Sequence, residues 1–157
     1  MRSLSIALFC GIPLLCGSAL AASESVNLDS LRYAKVILCQ FDHSTRTDLQ
    51  DGKLVIRESR EKHEMVFDSI DFNEGKARLV ATGGSLNAFL SAGGATFFEG
   101  QGFDNHSFIT VFPVAGETSG KLIAVHSVHA LIPGIKLKSG EHFYTPEQRY
   151  GSCKVRP

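Results

Sequence analysis

Apolar residues along this chain recur mostly at every second position, in short runs cut by glycine and proline, and no stretch keeps a convincing helical period. The run over 121–133 (KLIAVHSVHALIP) is the longest apolar stretch after the N-terminal leader. Read as a strand, it places Leu122, Ala124, His126, Val128 and Ala130 on one face and Ile123, Val125, Ser127, His129 and Leu131 on the other. Both faces are mainly apolar, which predicts a central strand rather than an edge.

The same period predicts further strands in order. Residues 33–41 form the first, with Val36 and Leu38 opposite Ile37, Cys39 and Phe41. Residues 42–52 are polar and read as a loop. Residues 53–58 alternate, with Leu54 and Ile56 expected to point inward. The mixed-sign run 57–64 reads as a solvated turn or strand tip. Strands follow over 65–70, 76–82 (Ala77, Leu79 and Ala81 inward), 85–92, 95–99 and 107–114, separated by glycine-bearing turns. Residues 135–138 form one more short strand, and the tail from His142 reads as irregular until Cys153. Short strands about ten residues apart with short connections predict an all-β antiparallel meander. Closing it into a small β-barrel hides its edges; a two-sheet β-sandwich is the alternative.

The N-terminus is different in kind. Arg2 is the only charge before Glu24, residues 4–15 are largely apolar, and Ser18-Ala19-Leu20-Ala21 supplies small residues for cleavage. That layout predicts a signal peptide over 1–21, ahead of one antiparallel β domain over 22–157. The apolar stretch is shorter than the ~20 residues a bilayer span needs, and no other stretch qualifies, so no stable membrane span is expected. Losing residues 1–21 removes Arg2 and leaves 15 basic against 16 acidic groups, a net charge of −1 with histidines neutral. Such a balance gives no pull toward nucleic acid.

Two of the four cysteines leave with the leader. Cys39 and Cys153 remain, one near each end, and in an oxidising compartment two lone cysteines predict one disulfide. The bond would tie the first strand to the tail, as a barrel closing where its ends meet requires. No CxxC or Cys/His metal spacing is present. The absence of tryptophan argues against lipocalins and biotin-binding barrels, which rely on that residue.

Ser127-Val128-His129, followed by Tyr150-Gly151-Ser152-Cys153, resembles small uncharacterised exported bacterial proteins that share an S-x-H element and a terminal G-x-C. The resemblance covers a few positions in the last third of the chain. It implies a periplasmic or secreted location and no particular activity.

Candidate chemistry is sparse. No G-x-S-x-G, H-E-x-x-H or phosphate-binding glycine loop occurs. Ser127 could work with His129, which shares its strand face, and with Glu99 or Asp104 as the acid; His126 points the other way. Six histidines are present, but His126 and His129 lack the i, i+2 spacing of two ligands on one strand, so a site would need His106 or His142 as well. No metal and no cofactor is expected. Buried or half-buried histidines bonded to backbone or carboxylate are the plainer expectation. Glu99, after Phe97-Phe98, would point outward, pair with Lys or Arg, or sit at a cavity mouth. A cavity lined by Phe97, Phe108, Phe112 and Leu79, with room left by Ala77, Ala81, Ala88 and Ala92, would hold a small apolar molecule; a filled core fits the same residues. An outer apolar face would dock a partner protein or a second copy. The sequence therefore predicts an exported binding or structural protein. The rival is a small secreted hydrolase using Ser127 and His129.

Overall fold

The computed structural model describes residues 28–51, 53–101, 105–114, 120–136 and 142–156, with backbone alone at 101, 105, 131–136 and 142–144. The expected leader, the loop residues Gly102, Phe103 and Asp104, and most of the turn over 116–120 lie outside the described residues. After a helical turn at 28–32, the chain forms β1 (Val36–Gln50), β2 (Lys53–Ser59), β3 (His63–Asp71), β4 (Lys76–Leu79), β5 (Gly84–Ser91), β6 (Gly94–Gln101), β7 (Asn105–Pro113), β8 (Leu122–Lys136) and β9 (His142–Arg156). All pairings are antiparallel, in the order β2-β1-β3-β4-β5-β6-β7-β8-β9, and β1 also pairs β9. The meander closes into an eight-stranded barrel of β1 and β3–β9, with β2 as an extra strand.

The place of β2 follows from how β1 divides one of its edges. Residues 37–41 pair β3, and residues 44–50 pair β2. Residues 43–46 also pair β9 along the other edge, so the β1–β2 hairpin leaves the barrel wall as an arm only beyond Arg46. It turns at Asp51, whose φ of 52° lies in the left-handed region that tight hairpin turns use.

Alternation places the core. Ile37, Cys39 and Phe41 of β1, Met65 and Phe67 of β3, Ala77 and Leu79 of β4, Leu86 and Ala88 of β5, Ala95 and Phe97 of β6, Ile109 and Val111 of β7, and Leu122 and Ala124 of β8 are all buried. Phe67 and Phe97 stack in parallel with ring centroids 4.4 Å apart, and both are fully buried. Leu31 and Ala34, from the entry to β1, are buried in the same cluster. Each large side chain so removed from water contributes about 1.5–3 kcal/mol. The interior below the mouth is thus filled by rings and small residues interlocked.

The seam between β1 and β9 is fastened covalently. Cys39 and Cys153 are register partners, bonded to each other, with Cα atoms 4.0 Å apart. That is closer than a typical disulfide and nearer the ~4.5 Å of a directly opposed non-hydrogen-bonded pair than the ~5.5 Å of a hydrogen-bonded one. Two residues on, the register shifts between Phe41 and His43, and Gly151 lies against the bulge. A Cβ at Gly151 would collide with the Gln40 carbonyl oxygen and the Phe41 Cα, so only glycine lets the strands close here.

Several expectations from sequence are corrected. Residues 42–50 are not a loop but the outer half of β1; six of these nine mainly polar residues are half-buried, and residues 43–46 pair β9. Leu54 and Ile56 do not point inward; on that arm they are 67% and 71% exposed. Residues 135–136 end β8 instead of forming a separate strand, and the tail from His142 is β9, a full barrel strand. Phe108 and Phe112 do not line an interior. The inward phase of β7 falls on Ile109 and Val111, which leaves both phenylalanines exposed on the outer wall. Phe97 and Leu79 do face inward, within the packed core.

Candidate functional site

Toward one end of the barrel the inward positions turn from apolar to polar. On β7 the inward series Val111, Ile109 continues to Ser107; on β8, Leu122 and Ala124 continue to His126 and Val128; on β6, Ala95 and Phe97 continue to Glu99. On β9 the inward phase set by Cys153 runs through Gly151 to Arg149, Glu147 and Thr145. Together with Met65 and His106 these residues make a mouth pocket of ≈ 310 Å³, lined by Met65, Glu99, His106, Ser107, His126, Val128 and Arg149.

His126 is the centre of this set. It is 4% exposed, and its ring lies 5.7 Å from that of Phe41 and 6.3 Å from that of His63, between centroids. Its Nε2 is 2.8 Å from the Ser107 hydroxyl, and its Nδ1 is 3.5 Å from Arg149 Nη1. Arg149 Nε donates to Glu147 Oε1 at 2.7 Å, which aims the guanidinium. Burial, then the Arg149 charge, then His63 push the His126 pKa down to about 3, so the ring is neutral at ordinary pH. His63 is also lowered, by burial and Arg149, with Glu147 opposing.

The neighbours of a neutral imidazole fix its tautomer. A guanidinium only donates, so Nδ1 facing Arg149 is the bare, accepting nitrogen. The single ring proton is therefore on Nε2, and Nε2–H donates to Ser107 Oγ. A serine nucleophile needs the reverse, with Nε2 bare to take the hydroxyl proton and a carboxylate holding Nδ1–H. Ser107 and His126 are within hydrogen-bond reach, but with this tautomer the hydroxyl oxygen is the acceptor and the Ser107 O–H is left to donate into the pocket.

The residues singled out from sequence separate across the wall. His126 and Glu99 come together in the mouth, where Glu99 is half-buried on the same side of β6 as Phe97. It takes the cavity-mouth position rather than the outward or paired one. Ser127 and His129 share a face, as expected, but it is the outer one. Ser127 is half-buried, His129 is exposed, and no hydrogen bond joins them. Two residues apart on a strand, their Cα atoms are about 6.7 Å apart, beyond direct pairing. Asp104 lies outside the described residues, and His142 is described by backbone alone. Among the described residues no group of three or more His, Cys, Asp or Glu side chains is placed to hold a metal ion.

Sequence reasoning missed Ser107, Arg149, Glu147 and His63. The usable signal was Cys153: if it bonds Cys39 inside the barrel, every second residue before it also faces in, which selects Arg149 and Glu147. A second pocket, of ≈ 340 Å³, sits where β2 and β3 part from β1, lined by Gln40, Phe41, Asp42, Lys62, His63, Glu64 and Ser152. The Gln40–Glu64 hydrogen bond spans that notch, and no shared chain of polar groups comparable to the mouth lies in it. Comparison with known protein families, curated proteins and solved structures finds no match.

Proposed function

We propose that this is an exported binding protein that holds a small polar ligand in the mouth of its barrel. The observation that carries the reading is the Glu147–Arg149–His126–Ser107 chain above a filled core. Buried polar groups cost free energy unless they are paired, so a fold that lines its mouth with them and leaves a ≈ 310 Å³ recess is shaped for a ligand with complementary polar atoms. An apolar ligand finds no comparable void: the interior below the mouth is occupied by Phe41, Phe67 and Phe97. The tautomer of His126 weighs against hydrolysis at Ser107, and the outer position of Ser127 and His129 weighs against hydrolysis there.

Export is supported by the leader pattern and by the Cys39–Cys153 disulfide, which fits an oxidising compartment. Among the described residues no helix is long and apolar enough to cross a membrane. Native mass spectrometry of the protein recovered from the exported fraction of its host tests the reading. A retained small polar molecule, lost in Arg149→Met, is expected. Protein that is ligand-free in both forms, and whose melting temperature no small polar compound raises, would overturn it.

A second reading, docking of a partner protein or a second copy, is favoured by the outer wall of β5–β8. Phe89, Phe108, Phe112 and Ile123 are 57%, 41%, 38% and 46% exposed there. Within the strands, the outward residues of β5–β8 from Ser85 to His129 include no Asp, Glu, Lys or Arg among those described; Lys121 stands just before β8. Aromatic, charge-poor surface is typical of interface cores. Concentration-dependent sedimentation that Phe108→Ser abolishes would support it; a monomer at all concentrations would not.

A further inference from the structure

The binding reading leaves open which ligand chemistry the mouth recognises, and the charges around it narrow the choice. Glu147 already neutralises Arg149. Glu99 is different: among the described residues no hydrogen bond or ion pair engages its carboxylate, although it is half-buried and lines the same pocket. Counting formal charges with His63 and His126 neutral, the mouth holds one surplus negative group, and that group is Glu99.

Position matters as much as charge. Glu99 on β6 and Arg149 on β9 stand three strands apart, about 14 Å around the wall at strand spacing, and therefore across the mouth from each other. Ser107, the register partner of Glu99, lies between them with its O–H free to donate, because its oxygen accepts from His126 Nε2–H. Arg149 has used Nε on Glu147 and makes only a 3.5 Å approach from Nη1 to His126, so Nη2 also remains to donate. Met65 and Val128 supply the apolar part of the lining. One side of the pocket thus offers an acceptor that lacks a cation, and the other offers two donors that lack an acceptor.

We propose that the ligand is a small protonated amine carrying an oxygen acceptor, with its ammonium on Glu99 and its oxygen on Ser107 and Arg149. The ligand's short carbon segment packs on Met65 and Val128. A ≈ 310 Å³ recess at the small end of ligand pockets suits a molecule of amino-acid or amino-alcohol size. The acceptor can be a carbonyl, a hydroxyl or a carboxylate. A neutral acceptor satisfies the surplus charge and a carboxylate does not, so an amino amide should bind more tightly than the amino acid itself.

This inference rests on the mouth being a ligand site, and the test separates the two failures. Uniformly labelled protein is titrated by amide NMR with alaninamide, alanine, ethanolamine, propylamine, propionamide and propionate, reading shifts at Ser107, Val128 and Arg149. Alaninamide should bind at least tenfold more tightly than propionamide, which lacks the amine, and than propylamine, which lacks the oxygen. Glu99→Gln should erase the advantage over propionamide while its spectrum stays dispersed, and Glu99→Lys should turn the preference toward propionate. If propionamide matches alaninamide, or if Glu99→Gln leaves the ratio unchanged, the amine assignment falls and the site survives. If none of the probes shifts the mouth resonances and the native protein carries no ligand, the binding reading falls with it.

Discussion

His126 is the residue on which the chemistry of the mouth turns, and its neutrality has a measurable consequence. Its pKa is about 3 in the fold, against about 6.5 in an unfolded chain. The unfolded state therefore takes up the proton first as pH falls. Stability is complete above about pH 6.5, falls by up to about 1.4 kcal/mol per pH unit on the way to about 3, and loses nothing more to this group below that. Burial first, then the charges of Arg149 and His63, set the sign, and His63, itself lowered by burial and Arg149 against the opposing Glu147, adds in the same direction. Asp68 also loses its Arg78-stabilised charge in acid, but it lies on the surface. Urea unfolding at pH 7 and pH 4.5 should therefore show a smaller acid loss in His126→Gln than in the parent; equal losses would mean that His126 does not carry the effect. At pH 7, Ser107→Ala strands a buried Nε2–H and should cost about 1–3 kcal/mol in the same assay, whereas Ser127→Ala on the outer wall should cost within about 0.5 kcal/mol.

The strands were legible where one face is dry and the other wet. Ala77 and Leu79 on β4, and Leu86 and Ala88 on β5, fall on the core side as their alternation requires. Two elements hid for opposite reasons. The far half of β1 pairs β9 as far as Arg46 and then projects with β2, and its mainly polar side chains give no alternation to read, so it reads as a loop. β9 hid because the interior it faces is polar: Thr145, Glu147, Arg149 and Gly151 take the places where alternation looks for apolar residues. The strand that escaped notice and the site that escaped notice are thus one fact. Leu54 and Ile56 misled because β-rich composition says nothing about which face is covered. Replacing both with lysine should change unfolding free energy by under about 1 kcal/mol, since neither is buried; a loss of several would mean that the arm packs in solution. At the seam, Gly151→Ala pushes a methyl into the Gln40 carbonyl and should lower the unfolding midpoint markedly without removing the disulfide.

At the scale of the whole molecule, closure and the site depend on each other. Disulfide and bulge fix β9 against β1, and β9 carries Arg149 and Glu147 into the mouth beside β8. Cutting the bond, which spans 114 positions, should cost on the order of 4–5 kcal/mol in the chain-entropy model. In Cys39→Ser/Cys153→Ser, protease sensitivity should rise first along β9, as limited proteolysis would show. The all-β meander and the pairing of the cysteines could be read from the sequence; the mouth could not, because its residues come from five strands whose phases become comparable only once the barrel is closed. The most direct test is the proton on His126, since binding and nucleophilic catalysis require opposite tautomers. Long-range nitrogen–proton NMR of the imidazole at pH 7 should show a neutral ring with the proton on Nε2 and a bare Nδ1. A ring protonated on Nδ1, or an imidazolium, would contradict the account and return Ser107 to the list of possible nucleophiles.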